Sequence, residues 1–264
     1  MIKVVAFLVV SVFLMQCNSE GESKLVWSDE FNTPGEPDTS RWNYDLGDGC
    51  PNVCGWGNNE LEYYTKDVKN VRVENDRLII EAHKEPLGGK GFTSARIVSK
   101  LKGDWLYGRM EIKAKLPRGT GTWPAIWMLS TDWKYGGWPA SGEIDIMEHV
   151  GHDPGVIHGT IHTETYNHGK QTQKEGKVIV TDAQDEFHVY SIDWTKNKIE
   201  FYVDGKLYHS VTKGINDTFK EWPFDQRFHL IMNLAVGGNW GGAQGVDDSI
   251  WPQKMEVDYV RVYQ

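Results

Sequence analysis

The sequence has little cysteine, no surplus of positive charge, and no long apolar run beyond its first sixteen residues. Three Cys in 264 residues are too few for a disulfide-built mini-scaffold. Lys and Arg total 28 against 37 Asp and Glu, a formal charge of −9, so the chain lacks the basic face that tracks nucleic-acid phosphates. At 39% hydrophobic and 25% charged residues it is neither disordered, collagen-like nor coiled-coil in composition. From Lys24 onward there is no low-complexity linker, no internal repeat and no sustained helical periodicity. What it has in excess is 12 Trp and 28 Gly. Trp is costly to bury unless its N–H finds a partner, so this surplus points to flat apolar rings lining a groove, a surface that suits sugar rings.

The one apolar run, Val4 to Met15 after Lys3, has the length of a secretory signal and is short for a bilayer span. Leu14-Met15-Gln16-Cys17 resembles a bacterial lipoprotein cleavage site, although Gln16 stands where such signals usually carry a small residue. The expected organisation is a signal over 1–16, a polar tether over 17–24 beginning at a lipidated Cys17, and one domain over 25–264. That places the domain outside the cytoplasm, held to a membrane by its lipid alone at the cell surface or in the periplasm, or secreted if Cys17 stays unmodified. With Cys17 lipidated, Cys50 and Cys54 remain as an even pair in an exported chain, and a disulfide closing that small loop is expected. No second Cys or His pair sits at zinc-finger spacing.

The domain reads as short β-type runs punctuated by Gly, Asn and Asp: Arg77–Glu81, Gly108–Ala114, Glu143–Glu148, Val156–His162, His188–Trp194, Ile199–Val203, Phe228–Leu234 and Glu256–Tyr263. Asp204-Gly205 between two alternating runs is a hairpin signal. Many short strands predict one all-β domain, a two-sheet sandwich or a barrel.

Chemistry concentrates in Gly142-Glu-Ile-Asp-Ile-Met-Glu-His149. Glu143 and Asp145 alternate with Ile144 and Ile146, so both acids face one side of a strand. Glu148 has the wrong parity, and a one-residue bulge near Met147 returns it to the acidic face. Four effective strand steps then separate the two glutamates by about 13 Å of backbone. Inward-leaning side chains bring the carboxylates to about 5 Å, the separation of a retaining glycosidase. Three carboxyls so close cannot all ionise at neutral pH, which leaves an acid beside a nucleophile. A solvated acidic face and a calcium site remain alternatives at this point.

This segment resembles the signature of glycoside hydrolase family 16 in its bulged form, Glu-x-Asp-x-x-Glu. Val26-Trp-Ser-Asp-Glu-Phe-Asn32, Trp56 to Thr65, Gly121 to Leu129, His158 to His162 and Val257 to Tyr263 follow in the family's order, with a laminarinase-like cleft segment. The resemblance implies a jelly-roll sandwich of two curved antiparallel sheets and a substrate groove on one face. It implies Glu143 as nucleophile, Glu148 as acid and then base, Asp145 as the residue tuning them, and a β-glucan polysaccharide as substrate. No cofactor is expected for catalysis. Glu30, Asp258 and a backbone carbonyl near Asp76 match positions of a structural calcium in many members. An endo-β-1,3-glucanase, expected to be monomeric, leads; a mixed-linkage β-1,3-1,4-glucanase and a non-catalytic glucan-binding module on the same fold are the alternatives.

Other residues divide between groove and core. Trp123, Trp127 and Trp138 are candidate sugar platforms, with Trp127, between Ile126 and Met128, equally suited to the core. Trp240 in Gly237-Gly-Asn-Trp-Gly-Gly242 reads as a cleft wall, and Asn58, Glu60 and Arg96 as partners for sugar hydroxyls. His158 and His162 lie about 13 Å apart if the run is a strand, which argues against zinc between them. His162 reads as a hydrogen-bonding neighbour of the carboxylates, with a satisfied core histidine as the alternative.

Overall fold

In a computed structural model the described residues are 23–264, so the expected signal, Cys17 and most of the tether lie outside them. In chain order the strands are β1 (Leu25–Asp29), β2 (Asn43–Tyr44), β3 (Glu62–Tyr64), β4 (Val71–Val73), β5 (Leu78–Leu87), β6 (Lys90–Ser94), β7 (Arg96–Val98), β8 (Asp104–Trp105) and β9 (Gly108–Lys115). They continue as β10 (Thr122–Ser130), β11 (Glu143–Glu148), β12 (Val156–His162), β13 (Lys174–Ile179), β14 (His188–Trp194), β15 (Lys198–Val203), β16 (Lys206–Thr212), β17 (Phe228–Val236) and β18 (Gln253–Tyr263). The only helical pieces among the described residues are two 3-10 turns, Cys54–Gly57 and His168–Lys170.

These strands form two sheets. One runs β16-β15-β14-β9-β18-β5-β6-β3, with β1 on β18 and β4 on β5; the other runs β13-β12-β11-β10-β17-β7-β2, with β8 on β17. The pairing is antiparallel except between β3 and β6, which lie parallel, a departure from the expected wholly antiparallel sandwich. Period-two alternation explains the layering. Ile126, Met128, Ile144, Ile146, Ile157, Ile161, Met232 and Leu234 send their side chains into the shared core, against Met110, Ile112, Ile192, Phe201 and Val260 from the other sheet.

The Trp surplus is divided. Trp42, Trp105, Trp194 and Trp222 are core residues, so part of the excess builds the sandwich and not a groove. Trp42 satisfies its N–H by donating to Asp29 Oδ2 at 2.8 Å, the partner a buried indole requires.

Asp204 and Gly205 close the β15–β16 hairpin with φ of 49° and 72°, the left-handed pair that a two-residue turn uses. That hairpin presses on the opposite sheet. A Cβ at Gly159 on β12 would stand 2.3 Å from the Tyr208 hydroxyl and 2.7 Å from the Phe201 ring, so only glycine permits this approach.

Candidate active site

The bulge lies at Ile146–Met147. Trp127 pairs with Asp145 and Ile126 with Met147, which leaves Ile146 as the extra residue on β11. Both Ile146 and Met147 are buried, and Glu148 returns to the outer face beside Glu143 and Asp145. Three cross-strand rungs result on β10, β11 and β12: Leu129–Glu143–His162, Trp127–Asp145–Thr160 and Ala125–Glu148–His158.

Each glutamate carries its own indole. Trp138 Nε1 donates to Glu143 Oε2 at 2.7 Å, and Trp123 Nε1 donates to Glu148 Oε1 at 3.1 Å. His162 Nε2 stands 3.3 Å from Asp145 Oδ2 and 3.9 Å from Glu143 Oε1. Burial, then the negative Asp145 beside it, pushes the Glu143 carboxyl up to about 8, while His162 and the Trp138 N–H pull it back. Burial also pushes Asp145 up to about 8, against a lowering contribution from the neighbouring Glu143. Glu148 is raised well above the carboxylate range by burial and then by Asp145, against a lowering contribution from the Trp123 N–H. The cluster therefore retains protons at a pH where ordinary carboxyls have lost them.

Trp127 faces outward with its alternating neighbours, its Nε1 donating to Asn233 Oδ1 at 2.7 Å. Arg96 lies between the Trp56 and Trp127 rings, 4.5 and 4.8 Å from their centroids, with Asp45 Oδ2 at 3.0 Å from its Nε. Asn58 donates to Glu60 Oε1 at 3.2 Å. Trp240 packs edge-on against Trp123 and His158. These groups line two joined parts of one cleft: Trp123, Glu143, Glu148, His162 and Trp240 in one, and Trp56, Glu60, Arg96, Trp127 and Asp145 in the other. The first part encloses about 320 Å³.

Several residues of the site had no individual signal in the sequence. Glu62 is fully buried, and its Oε2 accepts the Val236 N–H at 2.7 Å, tying the Asn58–Tyr64 segment to β17. His158 does not join His162; its Nδ1 pairs with Glu175 Oε1 at 2.5 Å. His168 brings its ring to 5.0 Å from Trp138 and 5.3 Å from His162. Glu175 and His168 belong to strand and turn segments distant in sequence from the carboxylates, so only the fold brings them in.

Cys50 and Cys54, at the turn that carries Trp56, are bonded to each other. Of the calcium positions, Glu30 receives both Nε and Nη2 of Arg261, at 2.9 and 2.8 Å. Asp258 receives Lys113 Nζ at 2.7 Å, and Asp76 sits in the β4–β5 turn. Both carboxylates are thus neutralised by cations of their own sheet, and those pairs fit calcium only by opening. A larger cavity, about 630 Å³, is lined by Asp29, Glu30, Glu36 and Asp38 and stands apart from the carboxylate strand.

A two-sheet β sandwich that carries three proton-retaining carboxyls on one strand of an open, indole-walled cleft has the equipment of a jelly-roll glycosidase. The chain belongs to glycosyl hydrolases family 16, whose profile matches residues 58–261. A β-glucanase of Rhodothermus marinus is 53% identical over 247 residues, which cover 91% of this chain and 85% of that protein. The crystal structure of the laminarinase from Rhodothermus marinus superposes with a TM-score of 0.88 at 51% identity, covering 92% of this chain and 97% of the other. A non-specific endo-β-1,3(4)-glucanase of family 16, crystallised with a β-glucan oligosaccharide, superposes at 0.87 with 50% identity, over 92% and 95% of the two chains.

Proposed function

We propose that this chain hydrolyses β-1,3-glucan internally, with retention of anomeric configuration. The observation that carries this is the bulge at Ile146–Met147, which turns Glu148 to the same face as Glu143 while each meets a different indole. Glu143 attacks the anomeric carbon as the glycosidic C–O bond breaks, and Glu148 gives its proton to the departing oxygen. Glu148, now ionised, takes a proton from water, whose oxygen displaces Glu143 and frees the sugar. Asp145 beside Glu143 raises its pKa, and Trp138 favours its ionised form.

A mixed-linkage reading is favoured by one observation, the 50% identity to an enzyme described as non-specific for β-1,3(4)-glucan. Retention of Glu143, Asp145 and Glu148 together counts against a role limited to glucan binding. Product analysis on laminarin and on barley mixed-linkage glucan, with Glu143→Gln as control, separates the readings. Faster cutting of laminarin supports the first and faster cutting of barley glucan the second. Failure to cut either, with Glu143→Gln equal to wild type, leaves a binding module. Proton NMR of the first product anomer tests retention.

We also infer export on a lipid at Cys17, supported by the apolar run that precedes it. Palmitate labelling of the wild type and its loss in Cys17→Ser test that.

A further inference from the structure

Three donor atoms converge beside the nucleophile. Trp138 holds Glu143 Oε2, which leaves Oε1 turned toward His162 Nε2, 3.9 Å away. Asp145 Oδ2 lies 3.3 Å from that nitrogen. Asp145 is 2% exposed, and its Oδ2 has no hydrogen-bond partner despite the short approach of His162. The three residues can each present one ligand atom with all three atoms inside 4.8 Å of one another, the one such group of His, Cys, Asp and Glu among the described residues.

We propose that Glu143, Asp145 and His162 form a binding site for a small divalent transition-metal ion of the zinc type, which blocks the cleft reversibly. Bonds of about 2.0–2.1 Å at tetrahedral angles put neighbouring ligand atoms about 3.3–3.4 Å apart. The His162–Asp145 separation of 3.3 Å already has that value, and Glu143 Oε1, 3.9 Å from the imidazole nitrogen, closes on it by side-chain rotation within the 4.8 Å group. One imidazole nitrogen and two carboxylate oxygens are ligands of zinc, cobalt and nickel. Calcium requires six to eight oxygens at longer range, which this group does not supply. The cleft is open above the three, so solvent completes the fourth position.

The arrangement also sets the strength of the site. A metal-ligating histidine ordinarily donates its second ring N–H to a carboxylate or carbonyl, and losing that partner costs about 10–100-fold in affinity. His162 Nδ1 is buried with no partner. The site therefore binds metal about 10–100-fold more weakly than one with that partner, and the bound ion occupies an oxygen of the nucleophile.

Zinc binding is read by calorimetry on the purified protein, and the ligand field by the visible spectrum of the cobalt complex. The expected result is one equivalent of zinc per chain, unaffected by excess calcium and displaced by a laminari-oligosaccharide, with tetrahedral cobalt absorption. His162→Gln and Asp145→Asn should each weaken zinc by at least about tenfold, with circular dichroism confirming that each variant is folded. If one variant fails to fold, the other carries the test. No binding at about 1 mM zinc, a bare −4 kcal/mol of affinity, overturns the proposal. So does unchanged affinity in both variants, which would move the ion to another pair such as His158–Glu175. Binding is measured without turnover, so its failure is distinct from failure of the hydrolytic reading.

Discussion

The indole N–H of Trp138 donates to Oε2 of Glu143 at 2.7 Å, although the Trp138 ring is 41% exposed at the cleft rim. A loop residue thus stabilises the charge of a strand residue. Trp138→Phe keeps the ring and removes the donor. A hydrogen bond to a charged group contributes about 1.5–3 kcal/mol, so kcat/KM on laminarin should fall roughly 10–100-fold, measured by reducing-end release.

The same contact sets a pH test with two signs. The Trp138 N–H lowers the Glu143 pKa and Asp145 raises it. The acid limb of kcat/KM, which reports groups of the free enzyme, should therefore move to higher pH in Trp138→Phe and to lower pH in Asp145→Asn. Equal shifts in one direction would remove both residues from control of Glu143.

Stability should respond to pH through the same carboxyl. The folded-state pKa of Glu143 is raised from 4.5 to about 8. The unfolded chain releases this proton first, so the contribution to stability is fully present below about pH 4.5 and is lost as pH rises through 8. Glu143→Gln removes the ionisation. It should match wild type near pH 4 and exceed it near pH 9 by about 4 kcal/mol, roughly 8–16 °C in Tm, as read by thermal melts across that range.

Arg96 offers a split between binding and chemistry. Its guanidinium lies 4.5 and 4.8 Å from the Trp56 and Trp127 ring centroids, and a lysine cannot reproduce the contact of a planar guanidinium with both rings. Arg96→Lys should raise KM for laminarin by about 5–30-fold, near 1–2 kcal/mol, while kcat changes less than twofold. A fall in kcat at constant KM would place Arg96 in the chemical step instead.

Gly159→Ala tests the contact between the sheets. The added methyl meets Tyr208 and Phe201 inside normal contact distance, and overpacking of this kind costs about 1–3 kcal/mol. Urea unfolding should give a lower midpoint at an unchanged slope.

Much of this architecture was legible because it rests on local periodicity. The acid-apolar alternation of Glu143 to Ile146 and the odd parity of Glu148 call for a strand with one extra residue, and β11 has one, at Ile146. Asp204-Gly205 specifies its hairpin from two residues. Trp127 was ambiguous between core and cleft because its neighbours Ile126 and Met128 are apolar; only pairing with Asp145 and Ile231 shows which face it takes. In the sequence Glu62 is one acid among many. Its burial follows from an acceptor required by the Val236 amide, and a partner 174 residues away leaves no local trace. The parallel β3–β6 pair has no local signature for the same reason, since pairing direction depends on where the chain returns.

The bulge on β11 has a consequence for how this ribbon can change over time. Ile144, Ile146 and Met147 are constrained by volume, and one aliphatic side chain can drift into another as the core repacks. Glu143, Asp145 and Glu148 are constrained by charge and reach, and they tolerate no such drift. One strand therefore carries two independent clocks, slow on the wet side and faster on the dry side. They meet at the extra residue, whose deletion would turn Glu148 inward and cost the acid even if the sandwich still folded.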